Sequence, residues 1–386
     1  MELLVRLLRA EEVTGTGAEW KEALLLAEEQ HVLSYIAQQF SSPEFLASPE
    51  TCKHIQSVKR DAAVTSFYWI SELKGVLEAF DLGGVKAIPL KGPFLAQRVY
   101  PHVEMRMNRD LDVLVPKAEL SAAEQVLKEQ GFVPGAIDDY HRPWLRNTTT
   151  VELHHDVENR LAFDFHCDTA WLRAKQTTFH GQPCWILAPE DELLFLCLHA
   201  VRHRFERLSL IVDLMLAFQK LPATTESWRS RNEVANLAPL LALGSAMVSR
   251  LCPDFVIPTF VSPDQMHDAD KVAQGLWECL LTEPGEPLDW KRIHDFFIEL
   301  EPTRGGRLRR HMMHLRILCG RVIANDYEFA AKFGLHRRWQ VMLVRPLRLL
   351  CERLPSVMHS SGSPARRSSS AIVSSPRGRM IGRAGL

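Results

Sequence analysis

Between Asp110 and Val115 the chain reads Asp-Leu-Asp-Val-Leu-Val, an apolar, β-prone run that carries two carboxylates at its start. Side chains of an extended strand alternate between faces, so Asp110 and Asp112 share one face and Leu111 and Val113 the other. Such a strand needs a core on one side and, on the other, surroundings that tolerate two like charges. Two carboxylates held together repel unless a cation lies between them, and hard oxygen ligands at this spacing suit Mg2+ or Mn2+. A solvated strand edge with two exposed aspartates has the same spacing, and the pair alone is a weak signal.

The surrounding text sets the strand in an α+β frame. Residues 1–80 are rich in Leu, Ala, Glu and Gln, with apolar residues three and four apart in Leu24–Leu33 and Phe67–Leu77, which predicts a helical lead-in. Gly83-Gly84 ends that pattern, and Val85–Leu90 reads as a short strand that Pro89 confines to an edge or cuts short. A helix is expected over 116–129, then strands over Thr148–His154, Ala162–His166 and Pro183–Leu187, the first marked by Val151 and Leu153 alternating with Glu152 and His154. From Pro189 to about residue 352 the spacing is helical.

Composition narrows the class further. A chain of 386 residues, 46% hydrophobic, is long enough for a substantial core, and a net charge of -1 gives no whole-molecule attraction to nucleic acid or an anionic membrane. The eight cysteines are scattered without a CxxC pair and read as packed, reduced thiols. No apolar run is long enough to span a bilayer, and Met1–Ala10 lacks a signal-peptide core, so a cytoplasmic location without membrane attachment is expected. Residues 355–386 combine Ser, Gly, Pro and arginines 366, 367, 377, 379 and 383 with no acidic residue, the composition of a disordered basic tail.

Several motifs in order carry a resemblance. Leu90-Lys91-Gly92, then Tyr100-Pro101, Arg106 and Asp110-Leu-Asp112-Val-Leu-Val115 are similar to the LKG, Y, R and DhDhhV signature of a family of bacterial nucleotidyltransferases. Val151-Glu152-Leu-His154, Leu187-Ala-Pro-Glu-Asp-Glu-Leu193, Leu196-Cys-Leu-His199, Arg207-Leu208 and Asp213 extend it over roughly residues 60–220. The resemblance implies a polymerase-β-like nucleotidyltransferase fold, a small mixed sheet with flanking helices, followed by a mostly helical C-terminal part. On that reading residues 81–188 form the nucleotidyltransferase-like domain, 189–354 a helical domain that contributes the acceptor pocket, and 355–386 the tail. The implied chemistry is transfer of an NMP group from an NTP (ATP among them) to an acceptor hydroxyl, with Mg2+ or Mn2+ held by three carboxylates.

Asp110 and Asp112 take two of those positions, and Glu152 is expected as the third because it lies on a neighbouring strand at the family's acid-Leu-His element; Asp164 is its rival. Lys91 and Gly92 stand where the wider superfamily has Gly-Ser or Gly-Gly before a phosphate-facing helix. Pro93 suits the first helical turn but removes an amide donor, which leaves Lys91 to supply part of the positive field. Arg106 falls on the family's arginine and is expected to reach the phosphates or Asp110; Arg109 is given a surface role. His154 shares a face with Glu152 and would orient it or bond the acceptor. His199 and His203 are spaced for zinc, but Ala200 stands where HExxH needs glutamate, and packing is the expected role. Asp213, inside an apolar helix, needs a partner, for which Arg202 and Arg204 are the candidates. Two other classes compete: a catalytically impaired relative acting as a nucleotide- or protein-binding module, and a nucleic-acid binder using the basic tail.

Overall fold

A computed structural model describes residues 1–39 except 12 and 14, then 48–135, 141–156, 165–223, 227–228, 234–256 and 261–282, with short stretches between 298 and 348. The predicted tail, and most of the strand expected over 162–166, lie outside the described residues. By its internal contacts the chain divides into Met1–Ile317 and Leu318–Leu386. In the second unit the rings of Phe329 and Phe333 pack 5.4 Å apart.

In the first unit the lead-in forms four helices, α1 (Glu2–Leu8), α2 (Gly17–Glu29), α3 (Leu33–Gln39) and α4 (Pro49–Leu82). Local chemistry sets their starts. Thr16 and Glu19 make a reciprocal capping box at α2, and Ser48 accepts from the Thr51 amide at α4 with Pro49 in the first turn. The apolar spacing of Leu24–Leu33 continues past the end of α2, but the chain turns at His31, whose φ is +58°.

A five-stranded mixed sheet follows, in the order β1 (Ile88–Pro89), β2 (Leu111–Leu114), β5 (Thr149–His154), β4 (His141–Arg146), β3 (Val133–Pro134). β2 runs parallel to β5, while the other pairs are antiparallel. Pro89 does confine β1 to two residues at the end of the sheet order. Helices α5 (Gly92–Val99), α6 (Leu120–Glu129) and α7 (Cys167–Arg173) fall between or after the strands in the chain, and β6 (Lys175–Phe179) and β7 (Gln182–Ile186) make a separate hairpin. The hairpin adjoins the sheet through a bond from the Trp185 amide to the Ala87 carbonyl at 2.8 Å. Helices α8 (Pro189–Arg202), α9 (Leu208–Lys220), α10 (Val234–Leu251) and α11 (Pro263–Thr282) complete the helical half. Among the described residues no helix is long and apolar enough to cross a membrane.

Two apolar clusters enclose the functional strands. One packs Leu111, Val113, Val151, Leu153 and Trp144 of the sheet against Leu73, Leu77 and Phe80 of α4 and Leu127 of α6. The other joins α1–α3 to α8–α11 and reaches the sheet through Ile88, Leu90 and Leu114. Within it, α8 and α10 approach so closely that a Cβ on Gly244 would lie 2.7 Å from Cys197 Sγ. Gly244→Ala gains about 1 kcal/mol in helix propensity and loses about 1–3 kcal/mol to overpacking. We expect it to lower the unfolding midpoint in urea, and Cys197→Ala in the same chain to abolish that loss; a stable single variant contradicts this packing.

Candidate active site

The parallel register of β2 and β5 builds the centre of the site. It sets Asp112 beside Glu152 and Leu114 beside His154, and the alternation of β5 keeps Glu152 and His154 on one face. Leu111, Val113, Val151 and Leu153 fill the opposite, apolar face. His154 Nε2 donates to Asp112 Oδ1 at 3.2 Å and stands 3.5 Å from Glu152 Oε2. β4 adds His141 through its pairing with His154; the two rings stack 5.0 Å apart, and His141 Nε2 lies 3.8 Å from Glu152 Oε2. Donor atoms of Asp112, Glu152 and His154 all lie within 4.8 Å of one another, close enough to share one metal ion.

Asp110 sits one residue before β2, outside that tight group but electrostatically joined to it. Its carboxyl is pushed up to about 6, by burial first and then by the charges of Asp112 and Glu152. Burial would raise Asp112 as well, but Lys91 and the bond from His154 outweigh it and hold that carboxyl well below the usual range. Glu152 is also lowered, burial being overcome chiefly by His154, and His154 is raised by its two carboxylate partners against its own burial. Crowded carboxylates that stay ionised are what a cation site requires. Among the described residues Asp112 Oδ2 has no hydrogen bond of good geometry, and the Lys91 ammonium stands 3.0 Å from it. The donor set therefore fits a divalent ion, with the two carboxylates suiting Mg2+ or Mn2+ and the His154 imidazole holding them in place.

Three further elements close around this centre. At the start of α5, Gly92 has φ +65°, a left-handed conformation that favours glycine, and a Cβ there would come 3.7 Å from the Asp110 carbonyl. The Lys91-Gly92 turn thus lies in van der Waals contact with the Asp110 backbone. Lys91 is buried between Asp112 and His199 of α8, with Nζ 3.3 Å from His199 Nε2. Burial first, then the charge of Lys91, holds His199 well below its ordinary range, so the neutral ring nitrogen accepts from the ammonium. From α9, Asp213 takes both Arg106 Nε and Nη2, at 2.9 and 3.0 Å, and the Tyr100 hydroxyl at 2.6 Å. Arg106 also bonds Asn108.

The structure thus gathers Asp110, Asp112, Glu152, His154, Lys91 and Gly92 in one place, while Asp164 lies outside the described residues. Arg106 meets Asp213 and Asn108, so its guanidinium braces the loop that leads into β2. Asp213 finds its partners in Arg106 and Tyr100, not in the arginines nearer in sequence, because α9 packs against the segment before β2. Sequence reasoning missed His141, whose segment His-Arg-Pro-Trp-Leu-Arg has no clear alternation and contains a proline. It assigned His199 to packing, although the His lies in one of the motifs that carry the resemblance.

Residues 16–253, more than half of the chain, match the family described as uncharacterised nucleotidyltransferase. The chain belongs to that family. Its architecture is α+β, a small mixed sheet with helices. Among solved structures it is similar to ANT(2")-Ia in complex with adenylyl-2"-tobramycin, at 14% identity and TM-score 0.32, covering 39% of this chain and 87% of that one. A solution structure of the same antibiotic-resistance factor matches at 11% identity and TM-score 0.31, over 64% of this chain and 99% of that one. A tRNA-processing enzyme matches at 11% identity and TM-score 0.26, over 76% and 93%. No curated protein matches the sequence.

Asp110 provides a test by pH. Its folded value of about 6 lies above the ordinary 3.8, so the native chain holds this proton more tightly than the unfolded one. Below both values the group costs nothing, and as pH rises from about 4 through 6 its ionisation removes stability. Asp110→Asn should therefore melt higher than the wild type near about pH 7.5 without metal and equally near about pH 3.5. Saturating Mn2+ should cancel the gain; equal melting at both pH values would count against a strained carboxylate.

Proposed function

We propose that this nucleotidyltransferase moves an NMP group from an NTP to an acceptor hydroxyl and depends on Mg2+ or Mn2+ held by Asp110, Asp112 and Glu152. The observation that carries the reading is the β2–β5 register, which sets Asp112 beside Glu152 with His154 on both. A divalent ion bound there supplies charge neutralisation of the triphosphate and a more acidic acceptor hydroxyl. The chain's own residues prepare the place. His154 orients Asp112 and Glu152, and His141 stacks behind it to limit the ring's rotation. Gly92 brings the start of α5 against Asp110, where helix amide groups favour an anionic ligand. In this division of labour residues 81–188 hold the chemistry and the helical half from 189 onward contributes acceptor contacts.

Calorimetric titration of the full chain with each common NTP tests the reading. Binding should require Mg2+ or Mn2+, and Asp110→Asn/Asp112→Asn should weaken it by at least about tenfold, the scale on which metal sites respond to lost partners. Failure to bind any NTP in the presence of either metal sinks the enzyme reading and leaves a nucleotidyltransferase-fold protein that binds something else.

A further inference from the structure

A carboxylate that bridges two cations gives one oxygen to each. In Asp112 both oxygens already face protein groups, with His154 on Oδ1 at 3.2 Å and the Lys91 ammonium on Oδ2 at 3.0 Å. The Oδ1 side is the side of the donor cluster, because His154 lies there and the donor atoms of Asp112, Glu152 and His154 are all within 4.8 Å of one another. The Oδ2 side differs. The side chains of Asp112 and Lys91 are only 1% and 7% exposed, so little water screens a second cation from the ammonium. Lys91 does not rest there by chance of rotamer either, since His199, on a separate helix in the other core, accepts from its far side at 3.3 Å. Its turn is further held by Gly92, whose left-handed backbone lies against Asp110.

We propose that Lys91 is a resident cation of this site, occupying the side of Asp112 that a second divalent ion would take, so that the chain binds one divalent ion where two would otherwise fit. This rests on the function proposed above. The charges support it: three carboxylates, Asp110, Asp112 and Glu152, are balanced by one ammonium and one divalent ion. Arg106 is not available for that role, because Asp213 takes two of its nitrogens. Lys91 then serves as a fixed positive charge beside the triphosphate, and His199 is its positioning residue.

Counting Mn2+ bound to the full chain without nucleotide, from the EPR signal of the free ion, tests this directly. The wild type should bind one ion per chain, Asp112→Asn should lose it, and Lys91→Met should bind two. Lys91→Arg, which keeps a cation, should bind one. Two ions on the wild type, or one on a folded Lys91→Met, overturns the proposal. No Mn2+ on either protein overturns the metal site itself, and with it the proposed function. Lys91→Met leaves a buried carboxylate without its cation and should melt low; Lys91→Gln is the second variant. For both, the rise in melting temperature on saturation with Mn2+ should exceed that of the wild type, because the added ion replaces the missing charge. A rise no larger than the wild type's overturns the proposal even where the metal-free variant is too unstable to count.

Discussion

Everything at the site depends on how β2 pairs with β5. Leu111, Val113, Val151 and Leu153 must all face the α4 and α6 side, and burial of those side chains sets the register. Once it is set, Asp112, Glu152 and His154 have no choice but to share the other face. A slip by one residue would carry the carboxylates into the apolar cluster, where an unpaired charge is far costlier than the repulsion between them. Hydrophobic burial on one side of the sheet thus holds like charges together on the other. The raised pKa of Asp110, just before β2, comes first from burial and then from the charges of Asp112 and Glu152 in that group.

The helical half completes the site through buried polar pairs. Asp213 of α9 fixes Arg106 and Tyr100, His199 of α8 fixes Lys91, and the acidic first turn of α8 receives Arg98 on Glu192 and Arg173 on Asp191. Each pair joins an element near the sheet to α8 or α9. Pairs of this kind add little stability beyond what apolar residues would, yet losing one partner leaves a buried charge and costs several kcal/mol, roughly 3–5. They therefore specify a geometry: the loop before β2 and the turn before α5 are both held from the helical side. The carboxylates and the lysine beside them stay in register with one another for that reason.

How much of this could be read in advance differs residue by residue. The face of Asp112 was legible because strand alternation is a local rule, and that of Glu152 because Val151 and Leu153 alternate around it, whereas Asp110, expected on the same strand, lies one residue before it. β4 was not legible: Pro143 and the charged residues of His141–Arg146 argue against an inner strand, and the segment is one because β5 on one side and the two residues of β3 on the other accept it. With β4 missing, nothing in the sequence placed His141 behind His154. Arg106 was read as facing phosphate or Asp110, and the partner of Asp213 was sought in Arg202 and Arg204, although it is Arg106, more than a hundred residues earlier.

The sequence by itself determined the elements whose information is local: Asp112 on the strand face opposite Leu111 and Val113, the glycine at the turn after Leu90, the helices between Pro189 and Thr282, and the family through the order of its motifs. Only the tertiary structure decided which charges meet. Lys91 lies on Asp112 and His199, and Arg106 on Asp213, because α8 and α9 pack their apolar faces into a core that also receives Ile88, Leu90 and Leu114 of the sheet. Backbone periodicity tells which side of an element a residue occupies. It is silent on what stands opposite, since that depends on the packing of surfaces distant in the chain.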